Sequence, residues 1–151
     1  LLSELPNAVG TGIDRSPGAL RTAAANAQVL GLANRALWLC GSWVSPVSWQ
    51  FDLVVSNPPY IASGAIATLD RGVRAYDPAL ALDGGPDGLA AYRAIIPALR
   101  PVMQPTGAAF LEIGCTQAAE VTGIARRSGF HAQTAMDLAG MPRCVALVPE
   151  I

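Results

Sequence analysis

Phe51-Asp52-Leu53-Val54-Val55-Ser56-Asn57-Pro58-Pro59-Tyr60 is the stretch from which the fold is read. Residues 51–56 are a short run of mostly strand-forming side chains. Two prolines then stop it. Each lacks a backbone donor and fixes φ, so the strand must end near Asn57. A residue before proline is pushed into extended geometry, which holds Asn57 and Pro58 open rather than coiled. The outcome is a stiff loop at the carboxyl end of a buried strand, presenting an amide side chain, backbone carbonyls and an aromatic ring. In open α/β sheets, ligands bind at that edge.

The neighbouring segments fit the same architecture. Residues 8–13 are an apolar run containing Gly10 and Gly12 and read as a buried strand, with Asp14 at its end. Ser16-Pro17 is a helix start, serine as N-cap and proline at the first helical position. Ala19, Leu20, Ala23, Ala24, Ala27 and Leu30 follow at helical spacing, and Gly31 closes the helix. Residues 36–40 form a strand that leads into Gly41-Ser42-Trp43. Residues 61–88 are long and irregular, with glycine turns from Asp83 to Gly88; such loops are usually functional or disordered. Residues 89–99 predict a helix bent or broken near Pro97. Pro105-Thr106-Gly107 predicts a turn, 108–113 a strand, and 116–128 a helix closed by Gly129. Residues 130–136 and 144–148 are the last strands, and residues 1–5 read as the end of a helix. Strands alternating with helices predict a parallel α/β sheet. Only residues 137–143 join the last two strands, too few for a parallel crossover. The final strand is therefore expected to run antiparallel to its neighbour.

Composition narrows the function classes. A chain of 151 residues is large enough for one domain with its own core. With 14% charged residues and a net charge of −1, it has no basic excess to meet nucleic acid. The three cysteines are odd in number and far apart, which argues against a disulfide framework. None has Cys-x-x-Cys spacing, and the single His131 has no partner motif, so no metal site is expected. No signal peptide is expected, and no apolar run of bilayer length is present in these residues. The expected compartment is the reducing cytoplasm.

Asn57-Pro58-Pro59-Tyr60 resembles the motif of amino-methyltransferases that use S-adenosyl-L-methionine on adenine, cytosine or glutamine nitrogens. The blocks Val73-Arg74-Ala75-Tyr76-Asp77-Pro78 and Ala79 to Leu89 narrow the likeness. They resemble the protein-glutamine methyltransferases that modify peptide chain release factors. Leu111-Glu112-Ile113-Gly114 with Gln117, and Asp137-Leu138-Ala139-Gly140 with Arg143, are similar to the same family. The resemblance runs from Ala8 onward. It implies a Rossmann-like S-adenosylmethionine-dependent methyltransferase sheet, mostly parallel with an antiparallel last strand. It also implies methyl transfer to the glutamine of a Gly-Gly-Gln motif in release factors. A ribosomal-protein glutamine, a nucleic-acid base, or an inactive truncated chain are the alternatives. Neither membrane nor direct nucleic-acid binding is expected.

The residues allow concrete assignments. Asn57 Oδ1 and the Pro58 carbonyl are two acceptors able to grip the two hydrogens of an –NH2 group. Tyr60 can stack on a flat substrate face, and Pro59 completes the substrate wall. Asn57, Pro58 and Tyr60 are the expected catalytic residues; the bland alternative is a rigid strand-ending turn. For the cofactor S-adenosyl-L-methionine, the resemblance implies Asp14, Ser42, Trp43 and Asn57. Asp14 would accept from ribose hydroxyls, or is a solvated aspartate near a helix start. Ser42 stands where the family usually has an acid, which weakens a contact to adenine. Trp43 lines the adenine pocket or packs in the core. Arg74, Tyr76 and Asp77 would grip a peptide backbone, or belong to a glycine-rich surface loop. Glu112 is a buried satisfied carboxylate or a polar pocket wall. Cys115, Cys144 and His131 read as structural or surface residues.

One family feature has no counterpart in the chain. Gly10-Thr11-Gly12 lies inside a strand and does not match the glycine-rich cofactor loop that follows the family's first strand. That first strand and an N-terminal helical substrate domain are also unmatched. Residues 1–151 are therefore expected to be a partial catalytic domain. Facing strand edges without the first strand would leave unpaired groups costing about 1–3 kcal/mol each. Weak or no cofactor binding by the chain alone is the corresponding expectation.

Overall fold

Ser16 and Pro17 start the first helix as their chemistry requires. In the computed structural model, which describes residues 1–70, 72 and 78–150, Ser16 Oγ accepts the Ala19 N–H at 3.2 Å. Helix α1 then runs Pro17–Val29. Gly31 adopts φ +70° just beyond it, the left-handed geometry that favours glycine after a helix. The chain divides into two compact units, Leu1–Ser48 and Trp49–Ile151.

In the first unit, β1 (Gly10–Asp14) and β2 (Ala36–Cys40) pair in parallel, from Gly10↔Ala36 to Asp14↔Cys40. Gly12 sits in the strand because a Cβ there would lie 2.3 Å from the Trp38 ring. The strand starts two residues later than the apolar run suggests. At residues 1–5 the Leu5 N–H donates to the Leu1 carbonyl at 2.9 Å, a single helical turn in keeping with the expected helix end. Pro6 follows, and the Arg35 guanidinium takes the carbonyls of Leu2, Leu5 and Ala8 at 2.9, 3.0 and 2.8 Å. The Arg35 side chain thereby satisfies three carbonyls along this segment.

The second unit holds β3 (Phe51–Ser56), β4 (Met103–Glu112), β5 (Phe130–Met136) and β6 (Pro142–Pro149), in the order β3-β4-β6-β5. Strands β3 and β4 are parallel, and β6 is antiparallel to both β4 and β5. Thus β3, β4 and β5 share one direction and the last strand alone is reversed, as its short connection requires. The expected turn at residues 105–107 is instead part of β4. The register jumps from Phe51↔Met103 to Leu53↔Ala108, so the extra residues bulge out of the ladder. Gly107 permits this: a Cβ there would lie 3.0 Å from the Phe51 carbonyl oxygen.

Two helices cover one face of this sheet. Helix α2 (Ala90–Leu99) buries Tyr92, Ile95, Ile96 and Leu99, the spacing of a helical stripe. It continues past Pro97, so of the expected bend or break the break does not occur. Pro97 lies in the last turn and is exposed, as is Arg93, whose carbonyl loses the bond to the proline nitrogen. Helix α3 (Ala118–Arg127) buries Val121, Ile124 and Ala125, and Gly129 ends it at φ +77°. The sheet meets them with Ala109, Leu111, Val145, Leu147 and Phe130, all at 0% exposure. Each large side chain so buried contributes about 1.5–3 kcal/mol. On the other face, Leu53, Val55, Phe110 and Val148 stay partly exposed.

The irregular stretch after β3 folds back on itself. A 3-10 turn at Ser63–Thr68 and a helical turn at Ala79–Leu82 flank it. Ile61 bridges to Asp83, and Ser63 N–H donates to the Gly85 carbonyl at 2.9 Å. The Arg74, Tyr76 and Asp77 assignments lie outside the described residues.

Candidate functional site

Pro58 is almost fully buried at the end of β3, while Asn57 is exposed beside it. Among the described residues, no hydrogen bond ends on the Asn57 side chain or on the Pro58 carbonyl. A buried acceptor without a donor is rare and calls for a partner. The two prolines lock φ on either side of that carbonyl, so its direction is built into the loop.

Tyr60 is half-buried and directs its hydroxyl to Glu112 Oε1 at 3.2 Å. Burial first, then the Glu112 carboxylate, pushes the phenol above its ordinary range, while nearby Arg143 opposes the shift. Tyr60 is therefore a neutral donor at physiological pH. Tyr92 rises from the helix below and donates to the Glu112 carbonyl at 2.8 Å; burial raises its pKa as well. Glu112 is thus a bonded carboxylate at the strand end, but only partly buried, short of the fully buried one expected. Arg143 reaches Asp137 Oδ2 at 3.3 Å, and Asp137 Oδ1 takes the N–H groups of Ala139 and Met141. That network shapes the turn between β5 and β6.

Beside Tyr60 opens a cleft of about 480 Å³, lined by Tyr60, Leu89, Cys115, Thr116, Gln117 and Glu120 among others. It lies at the carboxyl ends of the parallel pair β3 and β4, where ligands of such sheets bind. Gln117 holds three backbone segments here. Its Nε2 donates to the carbonyls of Tyr60 and Gly88 at 3.0 and 3.2 Å, and its Oε1 accepts the Gly114 N–H at 3.0 Å. Asp87 pairs with Arg93, its Oδ1 at 3.0 Å from Nη1. That hydrogen bond, then the Leu89 N–H, lowers its carboxyl to about 2.

The first unit gathers the other predicted residues. Asp14 ends β1, directly opposite Cys40, and its carbonyl accepts the Gly41 N–H at 3.1 Å. Asp14, Ser42 and Trp43 therefore share one sheet edge. The exposed Asp14 carboxylate accepts the Ser16 N–H on Oδ1 at 2.7 Å. No bond from the described residues ends on Oδ2. Trp43 is partly buried with φ 53°, an uncommon conformation for a bulky residue and one that clusters at functional sites. Each group of residues is assembled within its own unit: Asn57, Pro58, Pro59 and Tyr60 in one, Asp14, Ser42 and Trp43 in the other.

Gln117 and Tyr92 were not assigned roles by residue-level reading. The signal for Gln117 is indirect. Gly88 and Gly114 leave the room that its amide fills, a Cβ on either coming within 2.6 or 2.9 Å of it.

Comparison with known proteins fits this geometry. No protein-family model matches the chain. The release factor glutamine methyltransferase of Caulobacter vibrioides is 47% identical over 147 residues, 96% of this chain and 51% of that protein. That of Rhodospirillum rubrum is 44% identical over 146 residues, 96% of this chain and 45% of that protein. The chain is a homologue of release factor glutamine methyltransferases. It spans about half the length of these relatives. Solved structures carry the same fold at low identity. A Pyrococcus furiosus methyltransferase matches with TM-score 0.71 and 12% identity, covering 99% of this chain and 67% of that one. The ribosomal protein L11 methylase of Lactobacillus delbrueckii subsp. bulgaricus matches with TM-score 0.68 and 16% identity, covering 96% and 59%. An O-methyltransferase of neocarzinostatin biosynthesis, in complex with S-adenosylmethionine, matches at 0.62 and 17%, covering 99% and 44%. The fold is the Rossmann-like one of S-adenosylmethionine-dependent methyltransferases. Among the described residues, no helix is long and apolar enough to cross a membrane.

Proposed function

We propose that this chain carries the substrate-amide half of a glutamine methyltransferase acting on peptide chain release factors. Methyl transfer to the side-chain nitrogen of the Gly-Gly-Gln glutamine is the reaction. The single observation that supports it most is the buried Pro58 carbonyl beside the exposed Asn57 amide, in a chain 44–47% identical to enzymes of that name.

A glutamine nitrogen is a poor nucleophile because its lone pair is delocalised into the carbonyl. Asn57 Oδ1 and the Pro58 carbonyl accept its two hydrogens, hold the nitrogen still and favour localisation of the lone pair. Pro59 supports that carbonyl from behind, and the Tyr60 ring covers the amide plane. Positioning of this kind supplies about 7–11 kcal/mol in favourable cases. Tyr60 stays protonated, so it takes no proton from the substrate; the proton leaves to water.

S-adenosyl-L-methionine, when bound, supplies an electrophilic methyl group. The donor set suits it: the open Asp14 Oδ2 matches ribose hydroxyls, and the Trp43 ring matches the adenine plane. Ser42 adds a neutral hydroxyl at the same edge, and Asn57 is the remaining residue assigned to the cofactor. As with the relatives, release factors are the expected protein partners.

The test uses the chain, and a version extended upstream where the gene permits, with methyl-labelled S-adenosyl-L-methionine and three acceptors: a release factor, a ribosomal protein and DNA. Label on the glutamine side-chain nitrogen of the Gly-Gly-Gln segment is expected. Label on ribosomal protein or DNA alone, or on none, overturns the proposal.

A further inference from the structure

The loop that presents Asn57 and Pro58 is anchored by a side chain outside its own motif. Gln117 uses both amide hydrogens and its carbonyl on backbone: Tyr60 O at 3.0 Å, Gly88 O at 3.2 Å and Gly114 N at 3.0 Å. One planar head thus ties the loop after β3, the glycine turn before α2 and the loop after β4. The fit is close. A Cβ on Gly88 would lie 2.4 Å from the Tyr60 oxygen and 2.6 Å from Gln117 Nε2, and Gly88 sits at φ +76°.

The consequence lies in the torsions between β3 and Tyr60. Hydrogen bonding holds Ser56 in the sheet, where it pairs with Leu111. Pro58 and Pro59 have φ fixed by their rings. The soft torsions left are few, and clamping the Tyr60 carbonyl removes most of their freedom. We propose that Gln117 is a positioning residue that aims the Pro58 carbonyl and the Tyr60 ring at the substrate amide. The ligand in this statement rests on the glutamine-methylation reading above; the clamp does not. Glutamine suits the position because ionised glutamate has no donors and leucine has neither donor nor acceptor.

The experiment uses a Gly-Gly-Gln peptide carrying 15N in the glutamine side chain, titrated into the chain and its Gln117→Leu and Gln117→Glu variants. Affinity is measured by NMR well below each unfolding midpoint. For Gln117→Leu, binding about tenfold weaker is expected, the loss of one or two net hydrogen bonds. For Gln117→Glu the loss is larger, because a carboxylate faces two carbonyls. The Asn57 side-chain and Tyr60 ring signals shift in both variants. A purely structural role would lower the midpoints yet leave affinity and those signals unchanged, which overturns the proposal. If the wild-type chain does not bind the peptide, the glutamine reading fails. The clamp is then judged on the Asn57 and Tyr60 signals alone: movement sustains it and constancy overturns it.

Discussion

The two strand ends that carry the proposed site are built to different standards of rigidity. At the end of β3, Pro58 is buried, Tyr60 is bonded through both its hydroxyl and its carbonyl, and Gln117 reaches it from 57 residues away. At the end of β1, Asp14 is exposed and its carboxylate is bonded to Ser16, two residues along. The first is held by long-range contacts and the second by local chemistry. A poor nucleophile needs a fixed geometry, since misplacement by ~1 Å can cost ~100-fold in rate. An acceptor for ribose hydroxyls, the role proposed for Asp14, tolerates adjustment, so an exposed carboxylate beside a helix start would suffice.

The sharpest way to break this contrast is Asn57→Ala. It removes one of the two acceptors, and label transfer to the Gly-Gly-Gln glutamine is expected to fall at least ~100-fold. Asn57 is exposed, so thermal unfolding should be little changed. A variant that keeps its activity would remove Asn57 from the site.

Next comes a pair of glycines, one in each unit. Gly88→Ala combines a left-handed backbone with contacts of 2.4 and 2.6 Å. Its expected cost is about 2–4 kcal/mol, strain plus overpacking. Gly31→Ala has the same strain at φ +70° but nothing within 4 Å, so about 1 kcal/mol is expected. Denaturant unfolding of both variants measures the difference; equal losses would mean that the Gly88 cradle is loose.

The smallest effect concerns acid. Asp87 is lowered from 3.8 to about 2 by Arg93 and the Leu89 N–H. A depressed carboxyl stabilises the fold above its unfolded value and loses that contribution as pH falls from about 4 through about 2. Asp87→Asn should flatten the dependence of stability on pH in that window. An unchanged slope would show that the exposed pair adds nothing.

Much of this was legible in residues 36–40, 51–56 and 130–136, whose strands have the expected bounds. The Ser16-Pro17 helix start, the glycine stops at Gly31 and Gly129 and the reversed last strand were equally readable. Each rests on torsions or connection lengths that neighbouring residues set. Misreadings arose where distant groups intervened. Pro105 to Gly107 joined β4 because a partner strand absorbs the bulge. The helix crossed Pro97 because its other face is buried and the proline sits on the exposed one.

By itself the sequence determined that a strand stops at Asn57 with two rigid residues after it, and that the chain resembles glutamine methyltransferases. Proline torsions and motif identity need no tertiary context. Only the folded structure decided that the Pro58 carbonyl is buried without a donor among the described residues, and that Tyr60 is a neutral donor bound to Glu112. It also made Gln117 the clamp behind the loop. Those properties depend on which segments meet, and a backbone carbonyl gives no sign in sequence of the side chain that will hold it.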